Sequence, residues 1–372
     1  MMKRSSIYRS AATAAAVATI ALLCGCGTSQ KALVTPPVAP KFLYASSCDT
    51  TATVLGYSVD AATGALTPLA GNPVITGLNC PDFMVSDPAQ KFLFVPDDGD
   101  ELIHAYAIGA TGALTEVGTP PSQCVFQLAV DSSGKFLVAP DFCSNDIDVY
   151  SIGANGALTA VAGSPFSGTS KNQPESAWID PAGKFVYVTE STDGPGTISV
   201  FSLSAAGALT EIVGSPFASG GNSFTIAGTP DGKFVYATDF ADDKIMAYSA
   251  NTTTGALTPL STPSFDSGTC WLSVDVTGKV LFATDCAGGL LSFVINADGT
   301  LTPATGSPAA TGGTASYPVT GDPSGAYVYV GEDGPTGKIF AYKYTSAGVL
   351  TAVTGSPFAA TGGFIEGIFV TH

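Results

Sequence analysis

The sequence predicts an all-β protein, a seven-bladed β-propeller of four-stranded antiparallel blades in which blade one is closed by the C-terminal strand. Three observations predict this fold. The composition is that of strands and tight turns, with 43 Gly, 25 Pro and only 12% charged residues. A unit of about 47 residues recurs seven times, a period typical of propeller blades. The first copy lacks one strand, and the last copy is followed by one surplus strand.

The N-terminal segment has the features of an export signal. Basic residues precede the apolar run Ala11–Leu23, which is too short to span a bilayer and is typical of a signal-peptide core. The following Leu23-Cys24-Gly25-Cys26 resembles a bacterial lipobox, with Cys26 as the lipid-modified first residue of the mature protein. An ordinary secretory signal cleaved nearby is the alternative.

Three segments follow from this interpretation. Residues 1–25 are predicted to be the lipoprotein signal peptide. Residues 26–40 begin with the lipidated Cys26 and continue as a short tether that contains three prolines. Residues 41–372 are predicted to form the propeller. We expect a lipoprotein of the cell envelope, periplasmic or anchored to the outer membrane, that meets the membrane only through its lipid.

The charge balance excludes some partners. Without residues 1–25 the chain keeps 11 Lys, no Arg and 30 acids, a net charge of −19. Nucleic acid is excluded, because binding phosphates needs clustered Lys and Arg. Phosphorylated substrates and anionic lipid surfaces are disfavoured for the same reason. A cation, a neutral small molecule or another envelope component suits this surface better, and we expect a monomer.

The repeat contains phrases that define its strands. A Gly-Ala-Leu-Thr phrase or a near copy returns seven times, with its leucines at Leu66, Leu114, Leu158, Leu209, Leu257, Leu301 and Leu350. Each copy is preceded by an aromatic-rich run such as Lys184-Phe185-Val186-Tyr187 and then by an Ile-x-x-Tyr element. Several copies end in Gly-Ser-Pro-Phe, as at residues 163–166.

Each unit therefore offers four strands, labelled A to D from the centre outwards. Strand A ends at a turn such as Asp180–Gly183, strand B is the aromatic-rich run, strand C the Ile-x-x-Tyr element, and strand D begins at Leu-Thr. Copy one begins at strand B with Lys41, and Phe364–Val370 is an orphan strand A. Pairing these two ends would leave no open sheet edge, which argues against an open solenoid.

The repeat pattern resembles the lactonase family of seven-bladed propellers, which includes relatives of 6-phosphogluconolactonase and carboxymuconate cyclase, and the related YVTN-type repeats. The resemblance covers residues 41–370. It implies a lactonase or cyclase that binds an anionic substrate with basic groups and uses a His or Glu for proton transfer. This chain departs from that pattern, because it has no Arg after the signal and most of its lysines lie in the A–B turns. Lys244 is the main exception, and Lys338 is another.

Six cysteines remain after the signal and lipid sites are set aside. An even number in an exported chain indicates disulfides. The blade map places Cys124 beside Cys143 and Cys270 beside Cys286, each pair joining the start of strand A to the end of strand B. Cys48 and Cys80 would then bridge blades one and two. A zinc site is the alternative, although no Cys-x-x-Cys spacing or nearby His supports it.

An acid follows strand B in six blades, and the set has two interpretations. As ligands, these carboxylates would bind a polar ligand or a divalent cation such as Ca²⁺. As structural groups, each would cap its own turn through hydrogen bonds to backbone N–H groups. The strict repetition favours capping. The six residues are Asp97, Asp141, Glu190, Asp239, Asp285 and Glu332.

Three further acids at the start of strand A are better candidates for chemistry at the channel mouth. Asp82, Glu175 and Glu366 are the predicted acid or base residues. Trp178 and Trp271 also lie on strand A, where an aromatic side chain either packs between blades or stacks on a sugar ring. The residue at the position of His104 varies freely between the repeats, so we expect His104 to be a surface residue. We expect no catalytic role for His104 or for the C-terminal His372.

The sequence leaves two functions open. The first is a lipid-anchored propeller that serves as a binding or scaffolding module of the cell envelope, which the acidic, arginine-free surface favours. The alternative is an exported lactone hydrolase of the 6-phosphogluconolactonase type that acts on a non-phosphorylated lactone. In that case Asp82, Glu175 or Glu366 would be the base.

Overall fold

The architecture is a ring of seven antiparallel sheets. A computed structural model describes residues 41–49, 51–122, 124–170, 172–191, 195–261, 269–311 and 316–372. The predicted signal peptide, the lipidation site Cys26 and the tether lie outside the described residues. In the part of the chain that is described, no helix is long and apolar enough to cross a membrane.

Blades one to three contain the first twelve strands and the last. Blade one has the order β32-β1-β2-β3 with β4 beside β2, and blades two and three run β5 to β8 and β9 to β12 from the centre outwards. Their bounds are β1 Lys41–Ser47, β2 Thr53–Val59, β3 Leu66–Pro68, β4 Ile75–Thr76, β5 Val85–Ser86, β6 Phe92–Asp97, β7 Leu102–Ile108, β8 Leu114–Gly118, β9 Ala129–Val130, β10 Phe136–Asp141, β11 Asp146–Ile152, β12 Leu158–Ala160 and β32 Ile365–Val370.

Blades four to seven repeat this order. Blade four is β13 to β16, blade five β18 to β21, blade six β22 to β25 and blade seven β27 to β30, while β17, β26 and β31 each add a short strand beside strand C. Their bounds are β13 Gln173–Ile179, β14 Phe185–Ser191, β15 Gly196–Leu203, β16 Leu209–Glu211, β17 Phe217–Gly220, β18 Ile226–Gly228, β19 Phe234–Asp239, β20 Lys244–Ala250, β21 Leu257–Pro259, β22 Thr269–Val274, β23 Val280–Asp285, β24 Gly289–Ile295, β25 Leu301–Pro303, β26 Ala309–Ala310, β27 Ser316–Gly321, β28 Tyr327–Glu332, β29 Lys338–Tyr344, β30 Leu350–Ala352 and β31 Phe358–Ala359.

The predicted closure of the ring is confirmed. Strand β32 pairs antiparallel with β1, with Leu43 opposite Val370 and Ala45 opposite Ile368. A buried apolar cluster joins these two strands to blade seven. At the start of β1, the ammonium of Lys41 lies 2.6 Å from the carboxylate of Asp322 in blade seven, and both side chains are almost fully buried. The two ends of the chain thus complete one sheet, in which the closing strand covers the inner edge of β1.

The strand assignments made from the repeat phrases are also confirmed. All seven outermost strands begin at the leucine of the Gly-Ala-Leu-Thr phrase or its near copies. The serine of the Gly-Ser-Pro-Phe exit has a definite role, because its Oγ accepts a hydrogen bond from a backbone N–H of strand C, as in Val149 N–H to Ser164 Oγ at 2.9 Å. The serine thereby supplies a hydrogen-bond acceptor for a backbone N–H group of strand C that would otherwise lack a partner.

Neighbouring blades interlock through the two most regular phrases. The Phe of each Lys-Phe turn packs over the glycine of the next blade's Gly-Ala-Leu-Thr phrase, as Phe92 of blade two packs over Gly156 of blade three. Tyr327 of blade seven packs in the same way over Gly64 of blade one, so the pattern also crosses the junction at which the ring closes. These glycines have positive φ, and a side chain there would meet the aromatic ring of the preceding blade.

We expect Gly156→Ala to destabilise the fold by about 2–4 kcal/mol. The added Cβ would lie 2.3 Å from a Phe92 ring carbon at a φ of +84°, which combines overpacking with left-handed strain. Gly71→Ala is the matched control, because Gly71 has a φ of +81° and an added Cβ would meet no atom within 4 Å. Urea unfolding of both variants measures the difference. Equal losses would mean that the contact between blades contributes nothing.

All three predicted disulfides are present. Cys124–Cys143 and Cys270–Cys286 each join the two inner strands within one blade, and Cys48–Cys80 joins blade one to blade two. All three lie on the face where strand A begins and strand B ends. This face, called the mouth below, also carries the candidate catalytic residues.

Candidate functional site

Aromatic side chains meet across the central axis of the ring. The rings of Phe83 and Trp271 stack with centroids 3.4 Å apart and an interplanar angle of 6°. Phe83 belongs to blade two and Trp271 to blade six, which are not neighbours, so this stack crosses the channel. Phe224 of blade five meets Trp271 edge-on at 5.5 Å and lies 6.1 Å from Phe126 of blade three. The aromatic rings therefore obstruct the channel.

The two tryptophans take part in packing. Trp271 is only 3% exposed and belongs to a buried cluster shared by blades six and seven. Trp178 lies 5.4 Å from Tyr187, and its ring occupies the space next to Gly228 of blade five. Both residues thus take part in packing, and a role in stacking on a ligand stays a prediction.

A pair of carboxyl groups forms where blades one and two meet at the mouth. Asp82 precedes β5 of blade two, and Glu366 lies on the closing strand β32 of blade one. The hydroxyl of Ser46 donates a hydrogen bond to the Asp82 carbonyl at 2.8 Å and lies 3.4 Å from the carbonyl of Gly367. The disulfide Cys48–Cys80 also holds the two segments together. Ring closure therefore places Glu366 near enough for its charge to act on the Asp82 carboxyl group.

Burial and nearby negative charges favour the protonated forms of both carboxyl groups. Asp82 is 7% exposed, and its pKa is raised well above the usual value by burial and by the charges of Glu366, Asp98 and Asp97. The pKa of Glu366 is raised to about 7, chiefly by burial and further by Asp333. Asp82 Oδ2 has no hydrogen-bond partner among the described residues. At neutral pH the pair therefore combines a proton donor with a partly ionised base.

Glu175 lies apart from this pair. It is on β13 of blade four, buried, and its Oε1 accepts a hydrogen bond from Ser191 Oγ at 2.5 Å. Burial raises its pKa, and the Ser191 hydrogen bond opposes that rise, with no second carboxyl contributing. Of the three acids predicted for the channel mouth, the structure thus brings together Asp82 and Glu366 and leaves Glu175 single.

The six acids that follow strand B are engaged within their own blades. The four aspartates accept hydrogen bonds from backbone N–H groups of nearby turns, and the two glutamates accept bonds from side chains of strand C or its turn. The donors are Asn79, Cys80 and Gly99 for Asp97; Cys143 and Ser144 for Asp141; Gly221, Asn222 and Asp242 for Asp239; Ala287 for Asp285; Thr197 for Glu190; and Thr336 and Lys338 for Glu332. This is the arrangement that the capping interpretation predicts. A ligand bound jointly by this set stays a prediction.

The expectation that His104 is a surface residue is wrong. It is 8% exposed, with Nδ1 3.1 Å from Glu116 Oε1 and Nε2 3.0 Å from Asp100 Oδ2. The variety of residues at this repeat position suggested a solvent-exposed site. The long Glu116 side chain from the next strand covers it instead. The signal that was missed is a histidine and two acids close together in one blade.

Clefts are also found at the edges of the blades. One of about 730 Å³ is bordered by Asp141, Asp148 and Tyr150 of blade three, and another of about 770 Å³ by the A–B turns of blades four and five. Burial raises the pKa of Asp148, while a hydrogen bond from Ser164 opposes the rise. Neither cleft includes Asp82 or Glu366. A substrate for that pair would have to approach from the mouth.

Comparison with known proteins gives a consistent result. A family model described as "Lactonase, 7-bladed beta-propeller" matches residues 42–177 and 162–271, which together span more than half of the chain. No curated protein matches.

Several solved structures share the fold. A putative 6-phosphogluconolactonase from Bacteroides uniformis has a TM-score of 0.77 at 17% identity, covering 90% of this chain and 100% of that one. One from Bacteroides fragilis has a TM-score of 0.75 at 18% identity, covering 90% and 98%. The Pseudomonas aeruginosa periplasmic gluconolactonase has a TM-score of 0.75 at 15% identity, covering 90% and 99%. At these identities the likeness establishes the fold.

Proposed function

Because this chain belongs to the lactonase family of seven-bladed β-propellers, we propose that it is an exported hydrolase of a neutral lactone, with Glu366 and Asp82 as its acid–base pair. The observation that carries this proposal is a pair of buried acids at the mouth that interact electrostatically. Asp82 has an oxygen without a hydrogen-bond partner among the described residues, and Glu366 has a pKa of about 7. A general base is most effective when its pKa lies near the working pH.

The proposed reaction uses each carboxyl group once. The Glu366 carboxylate takes a proton from a water molecule, whose oxygen attacks the lactone carbonyl carbon. The Asp82 carboxyl group gives its proton to the ring oxygen as the carbon–oxygen bond breaks. The product is a hydroxy acid. Transfer of the proton from Glu366 to the neighbouring Asp82 then restores the starting state, and the product acid releases its own proton to solvent.

The charges at the mouth favour a neutral substrate. The chain has no arginine after residue 9, and the two lysines predicted on this face are both paired. Lys244 lies 3.2 Å from the Asp242 carboxylate and Lys338 lies 3.2 Å from that of Glu332. Of the lysines that the structure describes, none is placed to balance a phosphate group against the carboxylates of Asp97 and Asp98. We therefore propose a non-phosphorylated lactone.

Location outside the cytoplasm is part of the proposal. Three disulfides are typical of an oxidising compartment, and one of the similar structures is described as periplasmic. Attachment to the envelope through a lipid on Cys26 stays a prediction, as does the signal peptide before it.

A second candidate is a binding or scaffolding module of the cell envelope. The specific observation in its favour is the aromatic obstruction of the channel, together with the engagement of six acids in structural hydrogen bonds. Such features stabilise the ring, and they do not need the protein to catalyse a reaction. Under this alternative the mouth would bind a partner without turning it over.

A panel of lactones separates the two functions. The purified protein is assayed against neutral sugar lactones, simple aliphatic lactones and a phosphorylated sugar lactone, with and without Ca²⁺ or Mg²⁺. We expect turnover of a neutral lactone and at least tenfold lower activity on its phosphorylated counterpart. No turnover of any neutral lactone would contradict the hydrolase and favour the binding module.

A further inference from the structure

Three groups that bind metals lie together at the mouth end of blade two. Asp97 ends β6, Asp100 follows in the B–C turn and His104 lies on β7. Each offers one ligand atom, and these atoms all lie within 4.8 Å of one another. None of the three belongs to the Asp82–Glu366 pair, and the proposed hydrolase gives none of them a part in proton transfer.

The histidine is held in the orientation that metal sites use. Glu116 Oε1 lies 3.1 Å from His104 Nδ1 and Asp100 Oδ2 lies 3.0 Å from Nε2. With the proton on Nδ1 donated to Glu116, the lone pair of Nε2 faces the aspartates. A carboxylate that binds the far nitrogen of a ligand histidine in this way fixes its tautomer and raises its basicity.

The two aspartates have oxygen atoms to spare. Asp97 is fixed by three backbone N–H groups. Among the described residues its Oδ2 accepts one bond, from Asn79, and so keeps a lone pair. Asp100 Oδ1 is buried and has no hydrogen-bond partner among the described residues. A buried polar atom without a partner costs free energy, and a bound cation would remove that cost.

The fold does not require this combination of side chains. The corresponding residues are Asp141, Ser144 and Asp148 in blade three, and Asp239, Asp242 and Met246 in blade five. The strand pairing is the same, because His104, Asp148 and Met246 each lie opposite the residue two before the end of strand B. Of these three blades, blade two alone unites two carboxylates with an imidazole.

We propose that Asp97, Asp100 and His104 form a binding site for Zn²⁺, with Glu116 as the outer partner of the histidine. An imidazole with carboxylates is a typical zinc ligand set, whereas Ca²⁺ prefers oxygen ligands alone. The ion can enter from solvent, since the Asp100 side chain is 22% exposed and that of Glu116 is 52% exposed. Three protein ligands leave room for a water molecule or another small ligand.

Equilibrium dialysis of the full-length, untagged protein against Zn²⁺ tests this proposal. We expect Asp100→Asn and His104→Gln to weaken zinc binding at least tenfold, and Glu116→Gln to weaken it roughly 10–100-fold. Asp242→Asn changes the matching residue of blade five and should have no effect. A tenfold excess of Ca²⁺ should not displace the zinc.

Two results would overturn the proposal. One is the absence of zinc binding to the unaltered protein. The other is equal zinc affinity in Asp100→Asn and the unaltered protein. Asp100→Asn keeps the size of a partly exposed turn residue, and a circular dichroism spectrum that matches the unaltered protein shows that it has folded. Every variant keeps the same cysteines, so zinc bound by thiols cancels in the comparison.

Discussion

Glu366→Gln is expected to lower kcat for hydrolysis of a neutral lactone by roughly 10²–10⁴-fold, the usual contribution of a general base. Glutamine keeps the shape of the side chain but cannot take a proton from water. Steady-state kinetics of the purified variant on the best lactone of the panel measure the loss. Glu175→Gln is the matched comparison, because Glu175 occupies the start of strand A in blade four without a second carboxyl group. It should lose less than threefold.

The pH dependence of the same reaction follows from the pKa of Glu366. Burial raises that pKa from 4.5 to about 7, and only the ionised form acts as a base. We therefore expect kcat/KM, which reports the pKa values of the free enzyme, to rise with pH and to reach half of its upper value near pH 7. The Glu366→Gln variant should lack this rise. A rate that is already at its maximum at pH 5 would contradict the role of Glu366.

Stability measurements on Glu366→Gln test whether unfolding is the cause of its lost activity. The raised pKa means that the folded state binds the Glu366 proton more tightly than the unfolded chain does. This contribution to stability is fully present below pH 4.5 and is lost as pH rises through about 7. Ionised Glu366 therefore destabilises the fold above pH 7, and Glu366→Gln should be at least as stable there as the unaltered protein. A variant that is less stable at pH 8 would make its lost activity uninformative.

Removal of the closing strand is expected to abolish folding. Truncation after Gly363 deletes β32 and with it the buried side chains of Ile365, Ile368 and Val370. Burial of each contributes about 1.5–3 kcal/mol, so the loss is comparable with the whole stability of a typical domain, about 5–15 kcal/mol. It also exposes the edge of β1, which then becomes a site for aggregation.

Thermal unfolding followed by circular dichroism, together with size-exclusion chromatography, tests this expectation. The truncated chain should be aggregated or lack a cooperative transition. Deletion of His372 alone is the control, because this residue lies outside β32 and is exposed. It should leave the melting temperature within a few degrees of the full-length protein. Cooperative melting of the truncated chain near the full-length temperature would mean that blade one is stable with three strands.

The sequence predicted the fold well because its signals are local and repeated. Each strand D begins at the leucine of a short phrase, and the missing strand of copy one matches the surplus strand of copy seven. Once the strands were assigned, the disulfide pairs followed, since Cys124 and Cys143 lie at adjacent ends of neighbouring strands. Such inferences need only the order of strands within a sheet.

Contacts between distant blades were harder to predict. The Phe83–Trp271 stack joins blades two and six, and no repeat phrase places two rings at the same height on the axis. The sequence grouped Asp82, Glu175 and Glu366 together at the mouth, but the angular position of their blades leaves Glu175 separate. His104 was misjudged because its burial depends on Glu116 from the adjacent strand.

The proposed hydrolase depends on ring closure placing Glu366 beside Asp82 in surroundings that keep the pKa of Glu366 near neutrality. The most direct test is a ¹³C NMR titration of glutamate side-chain carboxyl groups, with the Glu366 signal identified by its absence in Glu366→Gln. We predict a midpoint of about 7 for this signal. A midpoint near the ordinary value of about 4.3 would contradict the proposed role of Glu366.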